Sequence, residues 1–302
     1  MKKIALSLIV LLMLVGCSAT SKETEKITVS HKLGEAEVVQ NPKKVAVFDM
    51  GILDTLDTLG IEVHGVAKES LPKNLDKFKS DASFNIGSLF EPDFEGLSKE
   101  GFDLIIISGR TAKQYDELNK IAPTIYLGND SSDEGLLASV KKNVETIKMI
   151  YPDVDGEKAI TDLETKIDTL SKQVKSKDYA TLFVMANGDE IKAFGPGSRY
   201  DHVFNEYGFR SVEHSFEKSR HGSLLSFELV KDLDPEVMIV MDRSAVTQEK
   251  GNAEELLDND FIKQTNAYKN DRVVYVDPEI WYLTEGGLSA LEVQVEELSI
   301  LK

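Results

Sequence analysis

The same helix-and-strand pattern occurs twice in this chain and sharply limits the folds that it can adopt. FEGLSKEGFDLIIISGR occupies residues 94–110, and FELVKDLDPEVMIVMDR occupies residues 227–243. Each copy opens with Phe-Glu in a short amphipathic stretch, continues into an apolar run, and carries an Arg fifteen positions after the Glu. Helix-then-strand units are common, so coincidence is the alternative. Further elements follow in the same order around both copies, and we therefore predict an internal repeat.

The surrounding elements predict an α/β fold with two Rossmann-like lobes. After Pro42 come a buried strand, a helix ending at Gly60 and a second strand, with the short connections typical of a parallel sheet. The second half begins with a hairpin signal at Asn187-Gly188 and then repeats the order of helices and strands. A long amphipathic stretch begins near Asp155, and we predict that this helix joins the lobes. The predicted boundaries are 38–152 for the N-terminal lobe, 153–177 for the joining helix and 178–302 for the C-terminal lobe.

The first seventeen residues have the features of a secretory signal. MKKIALSLIVLLMLVGC contains two Lys, an apolar run shorter than a membrane span, and small residues before its Cys. We expect a lipoprotein signal over residues 1–17, with Cys17 as the lipidated first residue of the mature chain; an uncleaved anchor is the alternative. The polar residues 18–37 predict a flexible tether. Cys17 is the only cysteine, so no disulfide is expected.

The charge of the chain argues against two classes of partner. The formal net charge is −17, and losing Lys2 and Lys3 with the signal makes it −19. A surface this acidic repels nucleic acid and anionic lipid, so we expect neither to bind through bulk charge.

Three arginines follow elements that should end at one crevice. Arg110 and Arg243 each lie two residues beyond a predicted buried strand, one in each half of the chain. Ligands of open α/β sheets bind beyond the carboxyl ends of the strands, so both arginines should face the same crevice. Arg199 lies in FGPGSRYD, where a strand leads into a helix, and a guanidinium there favours anions. A solvated surface charge is the alternative for any one of them.

Two loops of the second half add candidate ligand contacts. SRHGS contains Arg220 and His221, and DPEIWYLTEGG contains Trp281 and Tyr282 directly after a predicted strand. An ordinary surface His and a packing Trp-Tyr pair are the alternatives. Neighbouring glycines favour the close approach of a ligand instead; they are Gly222, Gly286 and Gly287.

The usual signatures of enzymes and cofactors are missing from the sequence. The chain has no G-x-G-x-x-G, no G-x-x-x-x-G-K-[ST], no H-E-x-x-H and no G-x-S-x-G. Its other histidines lack the compact spacing of a zinc or manganese site, and we expect His202 and His214 to be structural. We therefore expect a protein that is not an enzyme and has no intrinsic cofactor.

Several segments resemble siderophore-binding lipoproteins of iron ABC importers, over nearly all of the chain from about residue 38. The segments are NPKKVAVFDMGILDTLDTLG, KIAPTIYLG, AFGPGSRYD, HG, MDR and WYL. They are most similar to the Gram-positive branch that binds petrobactin and ferric catechols. The resemblance implies the class III periplasmic-binding-protein fold, in which two lobes joined by a helix hold a ferric catecholate.

The resemblance also implies roles for the residues of the crevice. Arg110, Arg199 and Arg243 would neutralise the ferric complex, because three guanidiniums match the net charge of a ferric tris-catecholate. His221 and Tyr282 would bind Fe³⁺ directly when the siderophore leaves coordination positions open. Further assignments are ligand contact for Arg220 and Trp281, and docking to the permease for Glu95 and Glu228, with Glu91 as a rival to Glu95.

The implied setting is the extracellular face of the cytoplasmic membrane of a Gram-positive cell. The partners would be a ferric siderophore, an ABC permease with its ATPase, and the membrane through the lipid on Cys17, with the receptor itself a monomer. Haem is the alternative ligand, since Tyr282 and His221 also suit haem iron. An oxidoreductase with an acid-base His221 and a zinc or manganese receptor are weaker alternatives. The natural catecholate stays open.

Overall fold

The structure is a computed structural model that describes residues 25–129, 135–248 and 250–301. The predicted signal, Cys17 and the first part of the predicted tether lie outside these residues. Within the described ranges, no helix combines the length and the apolar composition needed to cross a membrane.

The N-terminal lobe is built on a parallel sheet. Its strands have the order β5-β4-β3-β6-β7, and every neighbouring pair is parallel. The elements of this part are β1 Lys26–His31, β2 Gly34–Val39, β3 Val45–Val47, α1 Met50–Thr58, β4 Gly65–Val66, β5 Phe84–Asn85, α2 Phe94–Glu100, β6 Leu104–Ile107, α3 Tyr115–Ile121, β7 Thr124–Tyr126 and α4 Leu136–Ile150. Short 3-10 helices lie at Lys68–Ser70, Lys73–Lys79 and Ala112–Gln114.

The C-terminal lobe has a mixed sheet. Its order is β11-β9-β8-β12-β13. β8, β12 and β13 are parallel to one another, β9 is antiparallel to β8, and β11 is antiparallel to β9. The elements are α5 Gly156–Lys177, β8 Ala180–Asn187, β9 Glu190–Phe194, α6 Asp201–Asn205, β10 Arg210–Ser211, β11 Ser223–Leu225, α7 Phe227–Leu233, β12 Val237–Asp242, α8 Arg243–Thr247, α9 Ala253–Leu257, α10 Asn266–Lys269, β13 Val273–Val276, α11 Pro278–Tyr282 and α12 Leu288–Leu298. Further 3-10 helices lie at Ile262–Gln264 and Ser299–Leu301.

The predicted repeat is present as two equivalent helix–strand units. α2 leads into β6, and α7 leads into β12, and each strand lies beside the first strand of its sheet, which is β3 or β8. Each helix starts at a side-chain cap, since Asp93 accepts a hydrogen bond from the Gly96 amide and Ser226 from the Leu229 amide. The two-lobed α/β prediction and the hairpin near Asn187 are confirmed.

The prediction of a flexible tether is wrong for its second half. β1 and β2 form an antiparallel hairpin, with His31 opposite Gly34 at its turn. Val29 and Val38 are buried against the core of the N-terminal lobe. Apolar and polar residues alternate along both strands, and this period of two outweighs the polar composition on which the tether prediction rested.

Two helices connect the lobes. The helix predicted near Asp155 is α5, whose first turn is capped by the Asp155 carboxylate at 3.1 Å from the Lys158 amide. α4 also connects the lobes, because Leu136 and Val140 pack in the core of the C-terminal lobe while Ile147 and Ile150 pack in the core of the N-terminal lobe. Ion pairs Lys141–Glu164 and Lys148–Glu157 join the two helices side by side.

A carboxylate of the N-terminal lobe caps a helix of the C-terminal lobe. Asp54 on α1 accepts hydrogen bonds from the amides of Ser289 at 2.8 Å and Ala290 at 3.2 Å, and from the Ser289 hydroxyl. Its side chain is 2% exposed. Burial raises the pKa of Asp54, although these hydrogen bonds act in the opposite direction. The unpaired amides at the start of α12 thus find their acceptor across the lobe boundary.

Candidate ligand-binding site

Two cavities that share Arg199, Arg220 and Tyr282 bring the predicted site residues together. The larger, of about 400 Å³, is lined by Arg110 and Tyr126 of the N-terminal lobe and by Arg199 and Tyr282 of the C-terminal lobe. The smaller, of about 270 Å³, has as its lining Met185, Asn187, Lys192, Arg199, Arg220, His221, Arg243 and Tyr282. Of the residues predicted from the sequence, six therefore line one crevice.

Arg110 reaches from the N-terminal lobe to the C-terminal lobe. It leaves the carboxyl end of β6, where the buried Thr111 hydroxyl fixes the loop by donating to the Leu89 carbonyl at 2.9 Å. Its Nη2 donates to the Tyr282 carbonyl at 3.0 Å. The guanidinium is thereby held at the boundary between the lobes.

Arg243 occupies the equivalent position after the strand of the second repeat. It is the first residue of α8, which Asp242 caps by accepting from the Ala245 amide. Its Nε donates to the Tyr282 hydroxyl at 3.0 Å, and its Nη1 donates to Asn187 Oδ1 at 2.6 Å. Both repeat arginines therefore end at Tyr282.

Arg199 is nearly enclosed and has an acidic partner. Its Nη2 donates to the Tyr282 carbonyl at 3.2 Å. Its Nε and Nη2 also donate to Glu285 Oε2 at 2.8 and 2.7 Å, with side-chain exposures of 12% and 14% for the pair. Burial disfavours the charge on Arg199, but Glu285 outweighs this effect and raises the pKa of Arg199.

The sequence prediction missed Glu285. It stands three residues after Tyr282 and directly before Gly286 and Gly287, in the same segment that drew attention to Tyr282. The available signal was that Glu285 places a carboxylate in a segment expected to contact an anionic ligand, where it needs a cationic partner. The pairing with Arg199 spans 86 positions of the chain, and sequence spacing does not reveal such a contact.

Tyr282 lies at the centre of the three arginines. The guanidinium carbons of Arg110, Arg199 and Arg243 lie 5.8, 4.6 and 5.3 Å from the centroid of its ring. Burial alone raises the pKa of the Tyr282 phenol, but the hydrogen bond from Arg243 and the three positive charges outweigh it. The pKa of Tyr282 is therefore lowered from its ordinary value.

The assignment of Trp281 to ligand contact is wrong. Its side chain is fully buried, with its ring 5.5 Å from Phe183 and 5.8 Å from His202 between centroids. Its Nε1 donates to Glu297 at 2.7 Å. Successive residues of a helix point about 100° apart, so Tyr282 on the crevice side leaves Trp281 on the core side. The structural role expected for His202 fits its burial beside Gln294.

His221 lies with Tyr282 on the smaller cavity, and Arg220 lines both cavities. Both side chains are exposed. The adjacent Gly222 has φ +72°, and a Cβ there would lie 2.7 Å from the Phe194 ring. Likewise, a Cβ on Gly286 would collide with Asn129, and one on Gly287 with Asp54. These glycines allow close packing of the protein itself, which corrects their interpretation as ligand-approach positions.

The acidic residues predicted to dock a permease lie on the surface. Glu95 and Glu228 are exposed in the first turns of α2 and α7, at equivalent positions of the two repeat units. Glu91 is also exposed, just before α2. Among residues 25–129, 135–248 and 250–301, no group of three or more His, Cys, Asp or Glu side chains is arranged to hold a metal ion.

Comparison with known proteins gives one family and several close relatives. The family model described as periplasmic binding protein matches residues 45–280. The petrobactin-binding protein YclQ of Bacillus subtilis is 38% identical over 313 residues, which cover 99% of this chain and 98% of that protein. Its crystal structure matches with a TM-score of 0.88 at 39% identity, covering 91% of this chain and 98% of the other.

Two further solved structures are similar over the same part of the chain. The periplasmic catecholate-siderophore binding protein VctP of Vibrio cholerae has a TM-score of 0.84 at 33% identity, covering 91% of this chain and all of the other. The iron uptake ABC transporter substrate-binding protein PiuA of Streptococcus pneumoniae has a TM-score of 0.85 at 30% identity, covering 91% and 98%. The resemblance drawn from the sequence is thereby confirmed.

Proposed function

The chain belongs to the periplasmic binding protein family, and from this premise we propose that it captures a ferric catecholate siderophore between its lobes. It then delivers the complex to the permease of an ABC importer for iron uptake. The family is one of substrate-binding proteins, and the proposed function consists of binding and release without a catalytic step.

The convergence of three guanidiniums on Tyr282 carries this proposal. Arg110 reaches Tyr282 from the N-terminal lobe, while Arg199 and Arg243 reach it from the C-terminal lobe. Catecholate oxygens bound to Fe³⁺ retain negative charge. Guanidinium groups suit them because they stay protonated, are weakly hydrated and lie well over aromatic rings. An aromatic anion is therefore the ligand class that this arrangement favours.

Direct binding of iron by the protein is part of the proposal. A tetradentate bis-catecholate leaves two coordination positions of Fe³⁺ open, and His221 and Tyr282 line one cavity. The lowered pKa of Tyr282 supports its role, since a phenolate is the hard oxygen donor that a ferric ion prefers. Iron is cargo in this scheme, and the protein needs no resident cofactor.

The named ligands of the relatives support a siderophore over haem. YclQ is named for petrobactin and VctP for catecholate siderophores, while PiuA is named for iron uptake. None of these three is named for haem, so the haem alternative lacks support from the comparisons.

The remaining assignments complete the proposed delivery pathway. Lipid on Cys17 would hold the monomeric receptor at the extracellular face of the cytoplasmic membrane. Glu95 and Glu228, one on each lobe, would dock to the permease, whose ATPase powers transport. Arg220 would contact the bound siderophore from the rim of the crevice. The exposure of both glutamates at equivalent positions supports the docking assignment.

The first test is a fluorescence titration of the mature protein with a ferric tetradentate bis-catecholate and, separately, with haemin. Trp281 is the only tryptophan and directly precedes Tyr282, so a bound chromophore should quench its emission. We expect quenching by the catecholate with a Kd below about 1 µM. Tight haemin binding without a response to catecholate would overturn the siderophore assignment.

The Tyr282→Phe variant tests direct coordination of iron. Losing a metal ligand should weaken binding of the ferric bis-catecholate by more than about tenfold, the lower end of the loss that outer-shell changes cause. A hexadentate tris-catecholate fills every position of the iron and should bind the variant almost as well as the wild type. Equal losses for both complexes would contradict direct coordination.

A further inference from the structure

The crevice contains an acidic side chain beside the arginines. Glu285 takes two hydrogen bonds from Arg199, and both side chains are almost enclosed. A carboxylate here reduces the positive charge available to a ligand, since charges in a poorly solvated crevice are weakly screened. The one-for-one match between three arginines and a trianionic complex, expected from the sequence, therefore does not hold.

We propose that Glu285 sets the charge selectivity of the crevice, by pairing with Arg199 and so favouring ferric complexes with one negative charge over trianionic ones. This inference rests on the proposed siderophore function and narrows its ligand class. The favoured class is the tetradentate bis-catecholate, in which Fe³⁺ leaves a single net negative charge. A tris-catecholate carries three negative charges and meets a stronger repulsion from Glu285.

The charges balance for the favoured class. Arg110, Arg199 and Arg243 supply three positive charges and Glu285 one negative charge. A ferric bis-catecholate adds one negative charge, and Tyr282 adds a second when it binds iron as a phenolate. The sum is zero, whereas a tris-catecholate with neutral Tyr282 leaves one excess negative charge among these groups.

Other charged residues also line the two cavities. They are Asp49, Lys192 and Arg220. Asp49 accepts a hydrogen bond from the Ile52 amide as the cap of α1, and Arg220 is exposed to solvent. Asp49 and Lys192 carry opposite charges, and solvent screens the exposed Arg220 more strongly than the enclosed pair of Arg199 and Glu285.

The backbone of Glu285 is held by the N-terminal lobe. Asn129 of the N-terminal lobe donates from Nδ2 to the Glu285 carbonyl at 2.9 Å. A Cβ on Gly51 would lie 2.8 Å from the same carbonyl, so α1 also packs closely against it. Both contacts come from the N-terminal lobe and fix the backbone of Glu285, while Arg199 of the C-terminal lobe holds its carboxylate.

The test compares two ferric complexes, a tetradentate bis-catecholamide and a hexadentate tris-catecholamide, in the full mature protein. Coulomb energy scales with ligand charge, so Glu285→Gln should tighten binding of the trianionic complex by about tenfold and of the monoanionic complex by only about twofold. Glu285→Asp retains the charge and should keep the wild-type ratio of affinities. Glu285→Ala is a second neutral variant and should shift the ratio in the same direction as Gln.

A matched surface variant controls for the change in total charge. Glu292→Gln removes the same charge from α12, where the carboxylate pairs with Lys166 on α5. It should leave the ratio unchanged. An unchanged ratio in both Glu285→Gln and Glu285→Ala would overturn the selectivity role while leaving the siderophore function intact. Failure of the wild type to bind either complex would instead overturn the proposed function and this inference together.

Discussion

Tyr282 is the residue on which the properties of the crevice depend. It accepts hydrogen bonds from all three arginines, two at its carbonyl and one at its hydroxyl. The arginines themselves could be predicted, because each follows a strand whose apolar run is plain in the sequence. Their common contact with Tyr282 could not be predicted, because it depends on the orientation of the five-residue helix α11.

The first residue-scale prediction concerns the ionisation of Tyr282. We expect one tyrosine to form phenolate at a lower pH than free tyrosine, seen as a difference between the ultraviolet pH titrations of wild type and Tyr282→Phe. Because the folded pKa lies below the unfolded one, ionised Tyr282 adds stability that is fully present above about pH 10 and is lost as pH falls through the folded pKa. Superimposable titrations would contradict the lowered pKa.

The second residue-scale prediction separates Trp281 from the ligand. Trp281→Phe removes buried ring area and leaves Glu297 without its indole donor, and should lower the free energy of unfolding by about 2 kcal/mol. Urea denaturation measures this loss. Affinity for the ferric bis-catecholate, measured by its visible band, should change less than about twofold. A large loss of affinity with unchanged stability would restore the original assignment.

At the scale of elements, local patterns predicted most of what formed. The repeated helix and strand units arise from apolar periodicity and side-chain caps within a few residues of each other. The failures came from competing local signals or from distant contacts. Between Ala253 and Lys269 the chain forms α9, a 3-10 turn and α10 in place of one long helix, because Asn259 and Thr265 each cap a new segment. The cap of α12 comes from Asp54 on α1, which lies more than 200 positions earlier in the chain.

The element-scale prediction concerns that cap. Asp54→Ala leaves the first amides of α12 without an acceptor and should lower the free energy of unfolding by about 2 kcal/mol, measured by urea denaturation. Asp57→Ala on the same helix removes a partly exposed pair with Lys77 and should cost less than about 1 kcal/mol. Equal losses from both changes would contradict the special role of Asp54.

The pH dependence of the same carboxyl has a definite sign. The folded pKa of Asp54 is raised, so its contribution to stability is full below the unfolded pKa of about 4 and is lost as pH rises through the folded pKa. The stability of wild type relative to Asp54→Asn should therefore increase as pH is lowered from neutrality. An opposite trend would show that the hydrogen bonds, and not burial, dominate the pKa.

At the scale of the whole molecule, the connections between lobes limit their relative motion. α4 packs in both cores, α5 leads from it and packs on the core of the C-terminal lobe, and α1 is hydrogen-bonded to α12 across the boundary. The sequence predicted one joining helix because α5 is long and strongly amphipathic. The sharing of α4 between two cores depends on which lobe each half of the helix meets, and its apolar spacing is the same in either case.

The prediction at this scale is a small change of shape on loading. We expect the radius of gyration from small-angle X-ray scattering to differ by less than about 1 Å between the ligand-free protein and its ferric bis-catecholate complex. A closure driven by a hinge would give a larger decrease. The comparison should use the mature protein at several concentrations, so that association is not mistaken for a change of shape.

The cap formed by Asp54 also makes the separation of the lobes measurable by hydrogen exchange. The amide hydrogens of Ser289 and Ala290 are hydrogen-bonded to the other lobe, while those deeper in α12 are bonded within the helix. Parting of the lobes frees these two amides to exchange with deuterated solvent and leaves the helix intact. The ratio of their exchange rate to that of the amides inside α12 therefore reports how frequently the lobes separate.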